Sequence, residues 1–231
     1  MNLEQLSILD EFNLNSSQKE MLLKYASLLV EENNKYNLTA LISDEEIVEK
    51  HFYDSLILNK FIKLNEGNVL DIGTGAGFPG IPLAIKYPNT NFYLLEASKK
   101  KCNFLDLVVK NLNLFNVKII NERCENLDKK YFNYFDFIVT RAVSELRIIL
   151  ELAIPFLKVN GYFLPYKGIN YKEEVAKANN TLKILNSSLF DTKQYLLPLS
   201  KQERYILMIA KTKNIDPKYP RNYNLIKSKP L

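Results

Sequence analysis

The chain of 231 residues contains no tryptophan, a single histidine and two cysteines. Because His51 is the lone histidine, a zinc site built from several histidines is excluded, and a nucleophilic triad has at most one candidate base. Cys102 and Cys124 lie far apart and form no CxxC pair, a pattern typical of reduced thiols in the cytoplasm. We therefore expect no bound metal and a cytoplasmic location.

Long hydrophobic runs are also missing, since no apolar stretch approaches the roughly 18 residues of a membrane-spanning helix. The first residues include Glu4, Asp10 and Glu11 and lack the basic segment and cleavage site of a signal peptide. Hydrophobic residues make up 47% of the chain and charged residues 25%, proportions that are ordinary for a globular protein. The composition therefore indicates a globular protein without a membrane partner.

The net charge of +5 is modest, but basic residues cluster in two places. Lys99, Lys100 and Lys101 are consecutive, and from Lys211 onward the basic residues face a single acidic one, Asp216. Such clusters suit a polyanion, because neutralising its phosphates releases bound counterions. A solvated surface and a frayed tail are the alternative interpretation.

The first part of the chain predicts helices. Residues 3 to 36 contain two segments with helical spacing of apolar residues, and Ser16 or Ser17 can cap the second. Ser43 is expected to cap a third helical segment that reaches Phe61. We expect residues 1–64 to form a helical extension packed on the domain that follows.

Residues 65–213 alternate between strand and helix patterns. The expected strands are Asn68–Ile72, Asn91–Glu96, Val117–Glu122, Phe135–Arg141, Tyr162–Lys167, Lys193–Leu199 and Tyr205–Lys211. The expected helices are Ile81–Tyr87, Ser98–Leu112, Ser144–Phe156 and Tyr171–Leu189. Apolar strands separated by helices indicate a mostly parallel sheet covered on both faces, and two final strands without a helix between them indicate an antiparallel edge. The sequence thus predicts an α/β domain with a seven-stranded sheet, followed by a basic tail over residues 214–231.

A glycine-rich segment, Asp71 to Gly77, follows the first expected strand and precedes a helix. Glycines at such a turn let the backbone pass close to a flat ligand, because glycine has no Cβ atom and tolerates positive φ. The spacing differs from that of dinucleotide-binding loops, whose third glycine would fall at Phe78. Pro79 and Pro82 also remove N–H groups that a pyrophosphate would need. The loop therefore favours S-adenosylmethionine, which carries no phosphate, as the cofactor.

Open α/β sheets bind ligands at the carboxyl ends of their strands, so each expected strand end is a candidate site. The first ends in Asp71, and the second ends in Glu96, which could accept hydrogen bonds from two ribose hydroxyls. Cys124 and Glu125 follow the third, where an N–H group and a carboxylate could reach an adenine edge, and the fourth ends in Arg141. Each residue also has a structural alternative: a helix start for the first glutamate, a surface acid for the second, a buried thiol, and an ion pair for the arginine. Their occurrence at successive strand ends favours binding.

Five strings of residues occur in a shared order: Lys35 to Ala40, His51 to Ser55, Asp71 to Gly80, Arg141 to Val143, and Lys218 to Arg221. On these motifs the chain resembles, over essentially its whole length, the bacterial glucose-inhibited division B family, ribosomal RNA small subunit methyltransferase G. The last string resembles only some members. That family methylates N7 of one guanine in 16S ribosomal RNA with S-adenosylmethionine. The resemblance implies a Rossmann-like class I methyltransferase fold and the same activity.

The resemblance also implies a set of donor-binding residues: Gly73, Phe78, Cys124, Glu125 and Arg141. To these the strand-end pattern adds Asp71, Gly75 and Glu96. Two positions depart from the family. The acid after the second strand is commonly aspartate there and is Glu96 here. The residue before the matched glutamate varies, so Cys124 is expected to contribute its main chain rather than its thiol.

The implied reaction needs no general base, because guanine N7 already offers a lone pair. The segment Thr140 to Val143 lacks the Asn/Asp-Pro-Pro-aromatic turn typical of amino-group methylation, and no Pro-Cys turn supplies a nucleophile for pyrimidine C5 methylation. We therefore expect catalysis by positioning and assign no catalytic residue. Arg141 could bond either guanine O6 or the carboxylate of the donor, and the sequence leaves both open.

RNA is expected to contact cations outside the cofactor pocket: Arg123, Lys167 and Arg221 first, and Lys99 to Lys101 second. The expected partner is 16S ribosomal RNA or a precursor of the small ribosomal subunit, bound by a monomer. Two alternatives remain, an NAD-binding redox module and a noncatalytic RNA-binding protein with a vestigial pocket. Phe78 and the prolines after it disfavour the first, and intact candidates at four strand ends disfavour the second.

Overall fold

The computed structural model describes residues 1–231, with the side chain of Tyr36 excepted. The strands are β1 (Asn68–Ile72), β2 (Asn91–Leu95), β3 (Val117–Ile120), β4 (Phe135–Arg141), β5 (Leu157–Lys167), β6 (Ser187–Leu196) and β7 (Glu203–Lys211). The α-helices are α1 (Ser16–Tyr36), α2 (Asp44–Glu46), α3 (Asp54–Leu56), α4 (Gly80–Lys86), α5 (Lys99–Leu112), α6 (Leu146–Ala153), α7 (Tyr171–Ile184) and α8 (Tyr223–Ser228). Among the tighter and wider helical segments are the 3-10 turns Glu4–Phe12 and Cys124–Asn126 and the π-helical segment Ile47–Tyr53.

The seven strands form one sheet in the order β3-β2-β1-β4-β5-β7-β6. Strands β3, β2, β1, β4 and β5 run parallel, whereas β7 pairs antiparallel with both β5 and β6. Parallel neighbours need crossover connections. Helices α4, α5 and α6 lie in three of them, and the connection from β3 to β4 contains only the 3-10 turns Cys124–Asn126 and Lys129–Tyr131. The expected α/β sheet with an antiparallel edge is confirmed.

The register of the sheet aligns the strand ends that carry the candidate residues. Asp71 on β1 lies beside Leu94 on one side and Val139 on the other. Glu96 and Arg141 each follow those partners by two residues, so both chains leave the sheet level with the glycine loop. Parallel pairing therefore places three candidate segments at one edge of the sheet.

Three expected elements have the wrong bounds. Strand β5 begins at Leu157 rather than at Tyr162, β6 spans Ser187–Leu196 rather than Lys193–Leu199, and the expected α7 is too long. Helix α7 ends at Ile184 rather than at Leu189, and β6 already begins at Ser187. Between them Asn186 adopts a left-handed conformation with φ of 44°, which turns the chain into the sheet. Pairing of β6 with β7 satisfies the backbone there, and this long-range contact outweighs the local helical spacing.

The helix starts agree in part with expectation. Asn15, rather than Ser16 or Ser17, caps α1: its side chain accepts from the Gln18 N–H at 2.9 Å, and the Gln18 side chain accepts in return. The hydroxyl of Ser43 accepts from the N–H of the third residue of α2, as expected. The cap of α1 thus lies one residue earlier than the sequence suggested, because asparagine serves as well as serine at this position.

The N-terminal helices fix the position of the glycine loop. Tyr25 on α1 donates a hydrogen bond from its hydroxyl to the carbonyl of Ala76. Its ring stacks at 5.2 Å from that of Phe78, and Phe52 from the π-helical segment lies in the same buried cluster. The extension is therefore continuous with the core, and its aromatic rings hold the loop in place.

The C-terminal segment, residues 214–231, folds against α6 and α7. Tyr219 and Ile226 are buried in the apolar cluster on that face of the sheet. The hydroxyl of Thr181 on α7 donates to the carbonyl of Leu231 at 2.7 Å. Buried apolar anchors therefore hold the basic C-terminal segment against the domain, and the alternative of a frayed tail does not describe it.

Candidate functional site

Two adjoining cavities lie at the carboxyl ends of the parallel strands. The small cavity, about 160 Å³, is lined by Ile72, Gly73, Leu95, Glu96, Ala97, Glu122, Arg123, Cys124, Glu125, Val143, Ser144, Leu152 and Tyr223. The large cavity, about 1040 Å³, has among its lining residues Lys50, His51, Asp54, Arg141, Val143, Ser144, Lys167, Glu174, Lys177 and Arg204. Val143 and Ser144 belong to both, so the segment that follows β4 separates the two spaces.

Asp71 organises the glycine loop from inside the protein. Its carboxylate is fully buried and accepts from the Thr74 hydroxyl at 2.6 Å and from the Gly80 N–H at 2.8 Å. Its other oxygen, Oδ1, has no hydrogen-bond partner among the described residues. Burial raises the pKa of this carboxyl to about 7. Asp71 lines neither cavity, and its place favours a role in shaping the loop over direct contact with a ligand.

The three loop glycines serve different purposes. A Cβ atom on Gly73 would lie 2.7 Å from a methyl carbon of Val143, and one on Gly77 would lie 2.6 Å from the Tyr25 hydroxyl. Packing of the protein itself therefore requires glycine at these two positions. At Gly75, with φ of 63°, the nearest atom to such a Cβ is the Gly73 carbonyl oxygen at 4.0 Å. The loop is thus open to close approach at Gly75, as a flat ligand requires.

Glu96 is the carboxylate at the end of β2, and it is 9% exposed. One oxygen accepts from the Gly75 N–H at 3.0 Å, and the other accepts from the Ser98 N–H at 2.8 Å, at the start of α5. A carboxylate has about four acceptor positions, so two remain for hydroxyl donors. Glu96 therefore both braces the glycine loop and presents free lone pairs to the small cavity.

Cys124 and Glu125 also line the small cavity. The Cys124 thiol is buried, lies 3.4 Å from the Leu152 carbonyl oxygen, and has its pKa raised by burial. A neutral buried thiol is no nucleophile, which agrees with a main-chain role for this residue. Glu125 is partly exposed, and its carboxylate forms no ion pair within the described part of the chain. The pair can offer an N–H group from the start of a helical turn and a carboxylate acceptor.

Arg141 lies at the large cavity within a network of buried groups. Its Nη1 donates to Asp54 at 2.7 Å and to the Lys50 carbonyl at 2.8 Å, and its Nη2 lies 3.2 Å from Nδ1 of His51. Tyr195 donates to the second oxygen of Asp54 at 2.7 Å. The structural alternative considered for Arg141, an ion pair, is therefore present, and it leaves some of the five guanidinium N–H groups for a ligand.

His51 is held neutral in this network. Burial, and then the charge of Arg141, lower the pKa of His51 to about 3. Because Nδ1 accepts from the guanidinium, Nε2 carries the proton and donates to the Thr39 hydroxyl at 3.0 Å. The imidazole stacks on the Phe78 ring at 4.1 Å with an interplanar angle of 3°, and the Arg141 guanidinium carbon lies 5.3 Å from the same ring. Phe78 is thus a buried support that lines neither cavity.

The candidate RNA-binding cations lie in different settings. Arg123 is exposed at the rim of the small cavity, and its guanidinium forms no ion pair with any described residue. Lys167 lines the large cavity but pairs with Glu174 at 2.6 Å. Arg221 pairs with the buried Glu151 and lines neither cavity. The lysines that open α5 stand outside both cavities, and the first two are exposed.

Several residues of the two cavities had no role assigned from the sequence. His51 and Asp54 lie within a string that resembles the family, yet nothing in the sequence paired them with Arg141. Tyr223 lines the small cavity, and Tyr195 lines neither cavity but bonds Asp54. Neither tyrosine carries a local signal, because only the fold brings the C-terminal segment and the sheet edge to these places. Across the described side chains there is no cluster of potential metal ligands. None of the described helices is both long and apolar enough to span a membrane.

Comparison with known proteins agrees with these features. The family model described as rRNA small subunit methyltransferase G (GidB) matches residues 18–211. Ribosomal RNA small subunit methyltransferase G of Fusobacterium nucleatum is 45% identical over 215 residues, which cover 93% of this chain and 92% of that protein. The protein of the same name from Carboxydothermus hydrogenoformans is 42% identical over 225 residues, 96% of each chain.

Solved structures share the fold at lower identity. A SAM dependent methyltransferase from Aquifex aeolicus gives a TM-score of 0.56 at 20% identity and covers 78% of this chain and 98% of that one. M. jannaschii TYW2 in complex with AdoMet gives 0.55 at 19% identity, covering 70% and 77%. The expected Rossmann-like class I methyltransferase fold is confirmed. The chain belongs to the rRNA small subunit methyltransferase G family, and its expected class, an S-adenosylmethionine-dependent ribosomal RNA methyltransferase, is confirmed.

Proposed function

We propose that this protein transfers a methyl group from S-adenosylmethionine to N7 of a guanine in 16S ribosomal RNA. The observation that carries the proposal is the pair of adjoining cavities that share Val143 and Ser144. A donor in the small cavity would have its reacting end at this shared wall. A base in the large cavity would meet it there.

The residues of the small cavity suit the adenosyl part of the donor. Glu96 would accept from the ribose hydroxyls with its free lone pairs. Gly75 is not among the lining residues, but its N–H bonds Glu96, and its open side would admit the flat nucleoside beside the cavity. Cys124 and Glu125 would bond the adenine edge with a backbone N–H and a carboxylate. The cavity is smaller than the roughly 300 Å³ of typical ligand pockets, so the methionine part would extend past Val143.

Arg141 would then hold the carboxylate of the donor. The charged residues of the small cavity are mostly acids, and a carboxylate is repelled there. Past Val143, in the large cavity, the proposed partner for the donor carboxylate is the guanidinium of Arg141. Asp54 and the Lys50 carbonyl fix this guanidinium in place. A fixed guanidinium with free N–H groups suits a carboxylate.

For this reaction the protein must position the two reactants, and it need not transfer a proton. S-adenosylmethionine supplies a methyl group activated by its sulfonium. The N7 lone pair forms the new N–C bond as the S–C bond breaks, so the positive charge passes to the purine and no proton moves. Holding both reactants in line can contribute about 7–11 kcal/mol of the barrier. The neutral His51 and the buried Cys124 agree with a site that uses neither a base nor a thiolate.

We propose that RNA reaches the large cavity over its exposed rim. Of the three cations first considered, Arg123 has an exposed guanidinium outside any ion pair of the described residues, but it lines the small cavity, so RNA bound at the large cavity would reach it by extending across the small one. Lys167 could contact RNA only by breaking its ion pair with Glu174. Arg221 is better explained as a structural residue. A monomer acting in the cytoplasm without a metal remains part of this proposal.

Methyl transfer from labelled S-adenosylmethionine to small ribosomal subunits and to naked 16S RNA tests the proposal. Both substrates should come from cells that lack this gene. We expect label in one guanine, sensitive to borohydride and aniline cleavage as N7-methylguanine is. Label at another atom would contradict N7 chemistry. Binding of NAD without S-adenosylmethionine would favour the redox alternative, and tight RNA binding without any transfer would favour a noncatalytic protein.

A further inference from the structure

The C-terminal segment reaches the small cavity, although the family match ends at residue 211. Tyr223, the first residue of α8, lines that cavity together with Glu125. A third cavity, about 410 Å³, lies on the other side and is lined by Arg123, Glu125, Asn126, Asn222, Tyr223 and Asn224. Tyr223 therefore stands between two spaces, facing the loop that follows β3.

The order of the cavities places Tyr223 at one end of the small cavity. The large cavity shares Val143 and Ser144 with the small one, whereas the third cavity shares Arg123, Glu125 and Tyr223 with it. The large and third cavities have no lining residue in common. Methyl transfer belongs at the Val143 end, so the Tyr223 end is left for the part of the donor most distant from sulfur, its adenine ring.

A buried ion pair holds this segment against α6. Arg221 donates from Nε and Nη2 to the two oxygens of Glu151, both at 2.7 Å, and its backbone N–H donates to the same carboxylate at 3.1 Å. Glu151 is fully buried, and Leu152, next to it on α6, lines the small cavity. Bidentate pairing fixes the direction of both side chains. The pair thus connects the start of α8 with the wall of the cavity.

We propose that Tyr223 is a donor-binding residue whose ring contacts the adenine of S-adenosylmethionine, and that Arg221 and Glu151 position it. This inference rests on the proposed donor site. Tyr223 is partly buried and packs on the apolar cluster of α6 and α7, so its ring is held in place before the donor arrives. Aromatic faces bind bases through stacking, which contributes about 1–3 kcal/mol per base.

Calorimetric titration of the full chain with S-adenosylhomocysteine and with 5′-methylthioadenosine tests the role of Tyr223. Tyr223→Ala should weaken both ligands by about 5- to 150-fold, and by the same factor, because both contain adenine. Tyr223→Phe should bind as wild type does, since the ring rather than the hydroxyl makes the contact. Leu225→Ala, an exposed change on the same helix, is the matched control and should change neither affinity.

The positioning pair has its own test. Arg221→Ala leaves Glu151 buried without its partner, so it should weaken 5′-methylthioadenosine and lower the melting temperature. Combined with Tyr223→Ala it should weaken binding no further than Tyr223→Ala alone, because both changes remove one contact. If the two changes weaken binding additively, the pair does not act through Tyr223.

The outcomes separate this inference from the proposed function. A wild-type chain that binds neither ligand would contradict the donor site itself. A wild-type chain that binds both, with Tyr223→Ala binding equally well, would overturn only the role of Tyr223. Equal affinity for 5′-methylthioadenosine but weaker binding of RNA would assign Tyr223 to the substrate instead and would also overturn the inference.

Discussion

The small and large cavities differ in what builds them. The small cavity depends mainly on backbone at the ends of β1 and β2 and on the turn after β3, with Glu96 as its brace. The large cavity depends on a network in which Thr39, the helical stretch with His51 and Asp54, and the end of β4 with Arg141 come together. The small cavity is therefore built locally at strand ends, whereas the large cavity forms only when the N-terminal extension packs against the sheet. Substitutions at the large cavity should therefore lower the free energy of unfolding, whereas substitutions at the small cavity should lower ligand affinity.

The largest effect is expected at the large cavity. Arg141→Ala leaves Asp54 buried beside Tyr195 without its cation, and breaking a buried pair in this way costs about 3–5 kcal/mol. The free energy of unfolding in urea measures it. Arg204→Ala is the matched control, since this arginine lines the same cavity but bonds only Gln202 and a carbonyl. Equal, small costs for both variants would remove the proposed difference between the cavities.

The next effect concerns the pH dependence of stability through Asp71. Its folded pKa of about 7 lies above the ordinary value of 3.8, so the native state holds a proton that the unfolded chain loses. Wild type should lose stability as pH rises from about 4 to 7, and Asp71→Asn should not share this loss. Between pH 5 and pH 8 the variant should gain about 2–3 kcal/mol relative to wild type, at 1.36 kcal/mol per pKa unit.

Urea unfolding of both proteins at the two pH values measures this difference. Other groups titrate equally in the two chains, so the difference isolates the buried carboxyl. Thr74 and Gly80 can still donate to the remaining oxygen of the amide. Parallel pH profiles for the two proteins would show that Asp71 is ionised in the native state throughout.

At the small cavity a substitution should reduce the affinity for the donor. Glu96→Ala should weaken S-adenosylhomocysteine by about 1–3 kcal/mol, the range for hydrogen bonds to a charged group. Glu96→Asp should retain most of the affinity, because it keeps the carboxylate. Glu122→Ala, an exposed acid on the same cavity, is the control and should bind normally. Calorimetric titration decides, and wild-type affinity in Glu96→Ala would make this side chain purely structural.

The smallest effect is expected at Arg123, on the rim of the small cavity. Arg123→Ala should leave the affinity for S-adenosylhomocysteine unchanged and reduce kcat/KM on ribosomal RNA. Loss of one phosphate contact should also reduce the slope of log affinity against log salt by about one. Filter binding over a salt series measures this. An unchanged slope with an unchanged kcat/KM would place the RNA on a different surface.

The sequence predicts much of one cavity and little of the other. The glycine loop, Glu96 and the Cys124–Glu125 pair lie at strand ends, so strand periodicity and spacing suffice to bring them together. Arg141 was found in the same way, but its contact with Asp54 joins residues 87 positions apart, and no local pattern encodes such a distance. The division into residues 1–64, 65–213 and 214–231 stays a prediction.

The C-terminal segment shows a second limit of sequence reasoning. Its charge suggested a basic tail with Arg221 as a contact for RNA, yet Arg221 is bound to Glu151 and Ile226 is buried. Composition counts charges but does not show which of them meet a buried partner. The early end of α7 has a related cause, since pairing with β7 decides the conformation of residues that favour a helix locally.

We propose above that the small cavity holds the donor and that the reacting end of the donor meets the large cavity at Val143. A crystal structure with S-adenosylhomocysteine tests this most directly. We predict the ribose hydroxyls on Glu96, the adenine between Glu125 and Tyr223, and the sulfur at Val143 facing the large cavity. A ligand seated wholly in the large cavity, or one with its sulfur turned toward Glu125, would contradict the account.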